Sequence, residues 1–129
     1  MELQDELIRL CSELNKAGAK YIVVGGCAII LHGYSRTTYD IDILVEPSPE
    51  NIEKIKKAIY DIFKMEEINS LDVNDINKYM VIRIAPESED IVIDCIGKIG
   101  DITLEKVKDD IDEIILKNVK IPLCGLSTL

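Results

Sequence analysis

Two aspartates, Asp40 and Asp42, lie two residues apart in the otherwise apolar segment DIDILV. In a β-strand, alternate side chains share a face, so both carboxylates would lie close together. Two like charges this close raise each other's pKa unless a cation lies between them. Mg²⁺ takes carboxylate and phosphate oxygens as ligands. The pair therefore indicates a magnesium site for a phosphate-bearing substrate, although the same spacing also occurs on the polar face of an ordinary exposed strand.

A pair of glycines, Gly25 and Gly26, directly follows the apolar run Tyr21–Val24. Glycine lets a backbone approach a ligand closely, and the N-terminus of a following helix offers unpaired N–H groups and a favourable dipole. We therefore predict a phosphate-binding turn at Gly25 and Gly26, followed by a short helix over Cys27–Leu31. Any tight turn could also use two glycines. The turn followed by the carboxylate pair is more specific, because a nucleoside triphosphate and its metal need both.

Three polar residues lie between these two features. Arg36 is predicted to contact phosphate, since a guanidinium binds phosphate through two N–H groups; a salt bridge to a neighbouring carboxylate is the alternative. Thr38 is a candidate substrate contact, with a hydrogen bond inside its own loop as the alternative. For His32, the only histidine, a structural role is favoured over a place in the pocket.

The segment that carries these features, VVGGCAIILHGYSRTTYDIDILV, resembles the core motif of the DNA polymerase β-type nucleotidyltransferase superfamily. That motif is an apolar strand, Gly-Gly or Gly-Ser, a connecting stretch, and then Asp-x-Asp within a second apolar strand. The patterns Gly-Gly-x-Ala and Arg-x-Thr-x-Asp-Ile-Asp are similar to those of the small prokaryotic branch. This branch includes minimal nucleotidyltransferases and toxin–antitoxin relatives of the AbiEii kind.

The resemblance implies a third carboxylate on a later strand, and Asp94 in the segment 91–96 is the candidate. Asp40 and Asp42 would hold two Mg²⁺ ions that bridge the triphosphate, and Asp94 would complete the ion that activates the acceptor hydroxyl. A buried acid within an apolar strand needs a partner or an ion. Two alternatives stay open: Asp94 faces solvent on an edge strand, or Asp90 takes its place.

The implied activity is metal-dependent transfer of a nucleoside monophosphate from a nucleoside triphosphate to a hydroxyl acceptor of unknown identity: a protein, a tRNA or a small molecule. One departure from the family pattern concerns the phosphate-binding turn. Many catalytic members have Ser after the first glycine, whereas this chain has Gly26 and then Cys27. The alternative is therefore a catalytically weak or inactive interaction module of the same fold, in one form a toxin–antitoxin component.

Apolar periodicity predicts the elements that must position these residues. Helices are expected from Leu3 to Gly18, from the Ser48-Pro49 start to Phe63, and over 104–109, whereas 65–78 shows no clear pattern. Strands are expected at 21–24, 40–45, 79–85 and 90–96, with Pro86 to Glu89 joining the last two, and a final hairpin at 114–116 and 119–123. This order predicts an α/β fold, a mixed twisted β-sheet flanked by helices with a nucleotidyltransferase-like core.

Length and residue usage favour one domain that needs no covalent or metal staple. The 129 residues predict a single domain over 1–129. Because the chain stops just after Ser127, a helix-capping residue type, we expect this domain to lack a C-terminal helix. The four cysteines include no C-x-x-C pair and lie in apolar stretches, which favours buried free thiols over a zinc site.

Charge and hydropathy limit the partners. The net charge of −9 would repel long duplex nucleic acid, and no dense basic run offsets it. A bound divalent cation could still reverse the local sign for a small anionic substrate. The acidic N-terminus is unlike a targeting peptide, and the longest uncharged apolar run, 21–34, is too short to cross a bilayer. We expect a cytoplasmic protein with no membrane partner.

Overall fold

The computed structural model describes residues 3–25, 40–86 and 91–125. The fold is α/β, with these elements in chain order: α1 (Leu3–Ala17), β1 (Tyr21–Val24), β2 (Asp40–Val45), α2 (Pro49–Phe63), a 3-10 helix (Glu66–Ser70), α3 (Val73–Tyr79), β3 (Val81–Ile84), β4 (Val92–Ile96), α4 (Leu104–Val107), β5 (Ile111–Leu116) and β6 (Val119–Cys124). The predicted helix at 27–31, the connection at 87–89 and Ser127 lie outside the described residues.

The six strands found in the described ranges form one sheet in the order β3-β4-β2-β1-β6-β5. Three neighbouring pairs are antiparallel, namely β3 with β4, β2 with β1, and β6 with β5. The other two pairs, β2 with β4 and β1 with β6, are parallel. The sheet is therefore mixed and flanked by helices, which confirms the predicted fold class. Strands β2 and β4, which carry the predicted acids, both lie inside the sheet.

One face of the sheet packs against α1 and α2 to form the larger hydrophobic core. Ile41, Ile43 and Val45 of β2 are fully buried in this core. Apolar positions of α2 at helical spacing, including Ile52, Ile55 and Ile59, are buried in the same cluster. The pattern is that expected of an amphipathic helix on a half-buried strand.

The start of α2 is fastened to the ends of β1 and β2. Ser48 caps the helix, its Oγ accepting from the backbone N–H of Asn51 at 3.3 Å, as the Ser-Pro pattern predicts. The buried Asn51 side chain accepts from the N–H of Lys20 at 2.7 Å. It also donates to the carbonyl oxygens of Lys20 and Glu46, both at 2.9 Å. Three bonds from one amide thus fix where these two strands meet the helix.

The segment without clear periodicity contains the 3-10 helix and α3. A capping box starts α3: the Asp72 carboxylate accepts from the N–H groups of Asn74 and Asp75, and Asp75 Oδ2 accepts from the N–H of Asp72 at 3.0 Å. The capping acids mark this helix start more clearly than its apolar positions do. The last hairpin also differs, because β5 begins at Ile111 rather than at Ile114.

The opposite face of the sheet carries a smaller apolar cluster beside α4. Its buried members are Ile22, Val24, Leu44, Val107 and Cys124. The cysteines Cys11, Cys95 and Cys124 are buried, as predicted, and Cys27 lies outside the described residues. None of the helices in the described ranges combines the length and apolar character needed to cross a membrane.

Candidate active site

A row of charged residues crosses three neighbouring strands. Arg83 of β3 pairs with Asp94 of β4, and Asp94 in turn pairs with Asp42 of β2. Residues at paired positions point to the same face of a sheet. Asp40 lies two residues before Asp42 and shares that face. The sheet itself therefore brings together the three acids that the sequence singled out.

The acids lie on the face opposite α1 and α2. Ile41 and Ile43 point into the helix-covered core, so Asp40 and Asp42 between and before them point the other way. Leu44, two residues after Asp42, belongs to the smaller cluster on that opposite face. The predicted alternation of acid and apolar residues along β2 is confirmed. The alternative interpretation placed the two acids on the polar face of an exposed strand. That strand, β2, is an interior strand of the sheet, because it lies between β1 and β4.

Asp94 is buried, with 7% of its surface exposed. Its strand, β4, lies between β3 and β2. The alternative that placed Asp94 facing solvent on an edge strand is therefore wrong. A buried carboxylate needs a compensating charge or hydrogen bonds, and the family resemblance implied that a metal ion supplies them.

In this structure Arg83 supplies that compensation. Its Nε donates to Asp94 Oδ1 at 2.9 Å and its Nη2 donates to Asp94 Oδ2 at 3.2 Å. The same Nη2 lies 3.6 Å from Asp40 Oδ2. Two parallel charge-assisted bonds of this kind fix both the position and the orientation of a carboxylate. Arg83 is thus part of the site, although its side chain is 63% exposed.

Sequence reasoning missed Arg83, yet a signal was present. Arg83 is the single charged residue in the β3 segment VIRI, and β3 was predicted to form a hairpin with the strand of Asp94. The hairpin register places Arg83 directly opposite Asp94. Opposite charges at facing positions of adjacent strands stabilise the pair. A register assignment for the predicted hairpin would therefore have found it.

The pKa of Asp42 is raised to about 6. Burial of the carboxyl is the largest cause, followed by hydrogen bonding to Asp94 and by the negative charges of Asp94 and Asp40. The positive charge of Arg83 opposes the shift. The charge of Arg83 thus does not offset the combined effect of burial and the two neighbouring acids on Asp42. Such a site favours a further proton or a further cation.

Gly25 brings the end of β1 against the Asp42 carboxylate. Its φ of +70° lies in the left-handed region that favours glycine. A Cβ built on Gly25 would collide with Asp42 Oδ2 and lie 3.3 Å from Asp42 Cγ. The backbone conformation therefore favours glycine here, and a side chain at this position would also displace the Asp42 carboxylate. The glycine turn and the carboxylate pair, linked only by motif in the sequence, are neighbours in space.

The remaining predicted residues cannot be placed in this way. Gly26, Arg36 and Thr38, the other proposed substrate contacts, lie outside the described residues, as do His32 and Asp90. Their roles stay predictions. Of the residues proposed from the sequence, the structure brings together Gly25, Asp40, Asp42 and Asp94.

The acids match Mg²⁺ in donor type, because carboxylate oxygens are the ligands that this hard cation prefers. They also match it in charge, because burial of Asp42 and the negative charges of Asp94 and Asp40 raise the pKa of Asp42, and a bound cation would oppose these effects. Within residues 3–25, 40–86 and 91–125, however, no three His, Cys, Asp or Glu side chains converge as a metal-ligand group. Both carboxylate oxygens of Asp94 instead accept hydrogen bonds from Arg83. A three-carboxylate site therefore requires Arg83 to move away from Asp94.

This fold, with acids on one face of a mixed sheet beside a glycine turn, agrees with a nucleotidyltransferase core. More particularly, residues 1–120 match the family described as "Nucleotidyltransferase of unknown function (DUF6036)", and the chain belongs to this family. The structure is similar to the crystal structure of "a putative nucleotidyltransferase (TM1012)" from Thermotoga maritima, with a TM-score of 0.59 over 97% of this chain and 78% of that chain. At 16% identity, this similarity shows a shared fold. No functionally curated protein matches the chain.

Proposed function

We propose that this protein transfers a nucleoside monophosphate from a nucleoside triphosphate to a hydroxyl acceptor in a Mg²⁺-dependent reaction. The observation that carries the proposal is the row of acids, Asp40, Asp42 and Asp94, beside Gly25 on one face of the sheet. Family membership supports the reaction class. The motif supports a place in the polymerase β-type superfamily, near its minimal and AbiEii-like members.

Each acid has a role in this proposal. Asp40 and Asp42 would hold the metal ions together with the triphosphate, and Asp94 would complete the ion on the acceptor side. Bound Mg²⁺ supplies charge neutralisation for the attacking and leaving oxygens. The acceptor oxygen forms a bond to the α-phosphorus while the bond from that phosphorus to the bridging oxygen of pyrophosphate breaks. Asp94 takes the proton of the acceptor hydroxyl, and pyrophosphate leaves.

The triphosphate would be held by backbone and by two further side chains. The N–H groups of Gly25 and Gly26 contact phosphate oxygens, and this turn lacks the hydroxyl that Ser provides in many catalytic relatives. Arg36 binds a phosphate through two N–H groups, and Thr38 contributes a hydrogen bond. We place the reaction in the cytoplasm.

The acceptor would be a partner protein, a tRNA or a small molecule. The net charge of −9 opposes binding of long duplex nucleic acid. A tRNA is the least favoured of the three for the same reason. A protein acceptor would fit a toxin–antitoxin role, which the motif resemblance also suggests.

A transfer assay tests the proposal. The protein is incubated with each α-³²P-labelled nucleoside triphosphate, Mg²⁺ and candidate acceptors, and adducts are identified by mass spectrometry. Asp40→Asn is expected to lower transfer by on the order of 100-fold or more, beyond the usual effect of losing an outer partner of a metal ligand. Asp61→Asn is the matched control, because Asp61 lies on α2 and pairs with the exposed Lys57. Full transfer by the Asp40 variant would contradict the proposal.

The second candidate function is a non-catalytic module that binds nucleotide or a partner protein. The bidentate bond between Arg83 and Asp94 favours it, because a permanent guanidinium at Asp94 would block the acceptor-side metal. Calorimetric titration with ATP and Mg²⁺ distinguishes the two. Nucleotide binding without any labelled product supports the module, whereas product formation supports the enzyme.

A further inference from the structure

We propose that Arg83 is a resident counter-ion that occupies the position of a divalent cation at Asp94. The guanidinium and the metal compete for the same carboxylate, so metal binding at Asp94 and release of Arg83 are one coupled event. This inference rests on the proposed metal-dependent function and extends it. Arg83 is accordingly a positioning residue, which acts through Asp94 and Asp40 and not on the reacting atoms.

Arg83 occupies both oxygens of the Asp94 carboxylate. Each oxygen of Asp94 accepts a separate hydrogen bond from the guanidinium, at 2.9 and 3.2 Å. A metal that bound either oxygen would lie within a few ångströms of a positive charge. Two cations at such a distance repel each other, and the repulsion is poorly screened beside a buried group. Simultaneous occupancy by Arg83 and a metal is therefore unfavourable.

Asp94 and Arg83 differ greatly in solvent exposure. The side chain of Asp94 is 9% exposed, whereas that of Arg83 is 63% exposed. Asp94 is thus held in the sheet, while Arg83 can turn into water without unpacking the core. Removal of the guanidinium with nothing in its place would leave a buried charge uncompensated, which is costly. Replacement of the guanidinium by a metal avoids that state, so the exchange is favoured over simple release.

The same guanidinium also lies near a second acid, Asp40. Arg83 Nη2 lies 3.6 Å from Asp40 Oδ2, on the strand two places from β3. Release of Arg83 would therefore change the surroundings of two of the three acids at once.

Metal affinity, measured without nucleotide or acceptor, tests the inference independently of transfer. Mn²⁺ serves as the probe, and its free concentration is followed by electron paramagnetic resonance. Arg83→Gln is expected to bind Mn²⁺ more tightly than the native protein by roughly 5-fold to 150-fold, the usual range for coupled binding events. Arg83→Lys should fall between the two, because lysine keeps the charge and loses the bidentate geometry.

The control removes the same charge elsewhere. The control variant is Lys57→Gln, because Lys57 lies on α2, is 72% exposed and pairs with Asp61. It should leave Mn²⁺ affinity within about 2-fold of the native value, as screening predicts for a distant surface charge. Equal affinity in Arg83→Gln and Lys57→Gln overturns the inference alone. Absence of Mn²⁺ binding in every variant overturns the proposed metal site as well.

A measurement on the native chain covers the case in which Arg83→Gln does not fold. The Nε–H resonance of Arg83, assigned by comparison with Arg83→Lys, is followed by nuclear magnetic resonance during a Mg²⁺ titration. The inference predicts that this resonance moves to the position of a solvent-exposed arginine with the same midpoint as metal binding. A resonance that stays unchanged while Mg²⁺ binds would overturn it.

Discussion

Arg83 and Asp94 face each other across the β3–β4 ladder and are joined by two hydrogen bonds, of 2.9 and 3.2 Å. Asp94 is also paired with Asp42 on the neighbouring strand β2. Three paired positions on adjacent strands thus hold the cation Arg83, the buried acid Asp94 and Asp42, an acid with a raised pKa. Strand register therefore sets which charges meet in the candidate site, and substitutions at these positions test the resulting charge balance.

Asp42→Asn should stabilise the metal-free protein at neutral pH. The pKa of Asp42 is about 6 in the folded state against an ordinary value of 3.8, so the folded protein binds more protons between these values. Its free energy of unfolding therefore falls as pH rises through this window and stays lower above it. Asparagine removes that loss, for a gain of about 1–2 kcal/mol after allowance for partial solvent exposure.

Urea unfolding in the presence of EDTA, at a series of pH values, measures this effect. The native protein should lose stability relative to Asp42→Asn as pH rises from the ordinary pKa of 3.8 to about 6, and the two curves should run parallel above that window. Asp61→Asn serves as the control, since Asp61 lies in an exposed pair on α2. A pH dependence that is identical in native protein and Asp42→Asn would contradict this charge balance.

Gly25→Ala should impair both stability and the site. Alanine at a φ of +70° is strained by roughly 1–2 kcal/mol, and its Cβ would also collide with the Asp42 carboxylate. Gly18→Ala is a matched control, because Gly18 has a φ of +74° and a Cβ added there would meet no atom within 4 Å. Thermal unfolding and Mn²⁺ binding should be measured for both variants. Strain alone predicts equal stability losses, whereas the structure predicts a larger loss and weaker metal binding only for Gly25→Ala.

Asn51→Ala should lower stability without altering the site's chemistry. The substitution removes three hydrogen bonds to the backbone of Lys20 and Glu46, which predicts a loss of about 2–4 kcal/mol. Asn69→Ala, which removes one exposed bond to Glu66, should change stability by less than about 0.5 kcal/mol. Chemical denaturation measures both. A small effect at Asn51 would show that the amide does not fasten α2 to the strands.

Much of the fold followed from apolar periodicity and helix caps. The Ser48-Pro49 start of α2 and the alternation in β2 were predicted because both depend on nearest neighbours in the chain. The sheet order, with β4 inside and beside β2, was not predicted, because pairing of distant strands leaves no local mark. For the same reason, the sequence alone does not determine whether Asp94 is buried.

The candidate site was predictable in its acids and not in its cation. Asp40, Asp42 and Asp94 stand out as charges within apolar strands. Arg83 has the same signature, but its importance lies in a register that pairs it with Asp94. The raised pKa of Asp42 likewise arises from burial and from a neighbour on another strand, and only the assembled sheet supplies both.

Anomalous diffraction from crystals soaked with Mn²⁺ and a non-hydrolysable nucleoside triphosphate analogue would show whether the acids on β2 bind metal and nucleotide together. We expect anomalous peaks in direct contact with carboxylate oxygens of Asp40 and Asp42, triphosphate density beside Gly25, and Arg83 withdrawn from Asp94 wherever a metal contacts Asp94. Nucleotide bound with no peak at Asp40 or Asp42, or peaks located only at other acids, would contradict the proposed metal-dependent transfer.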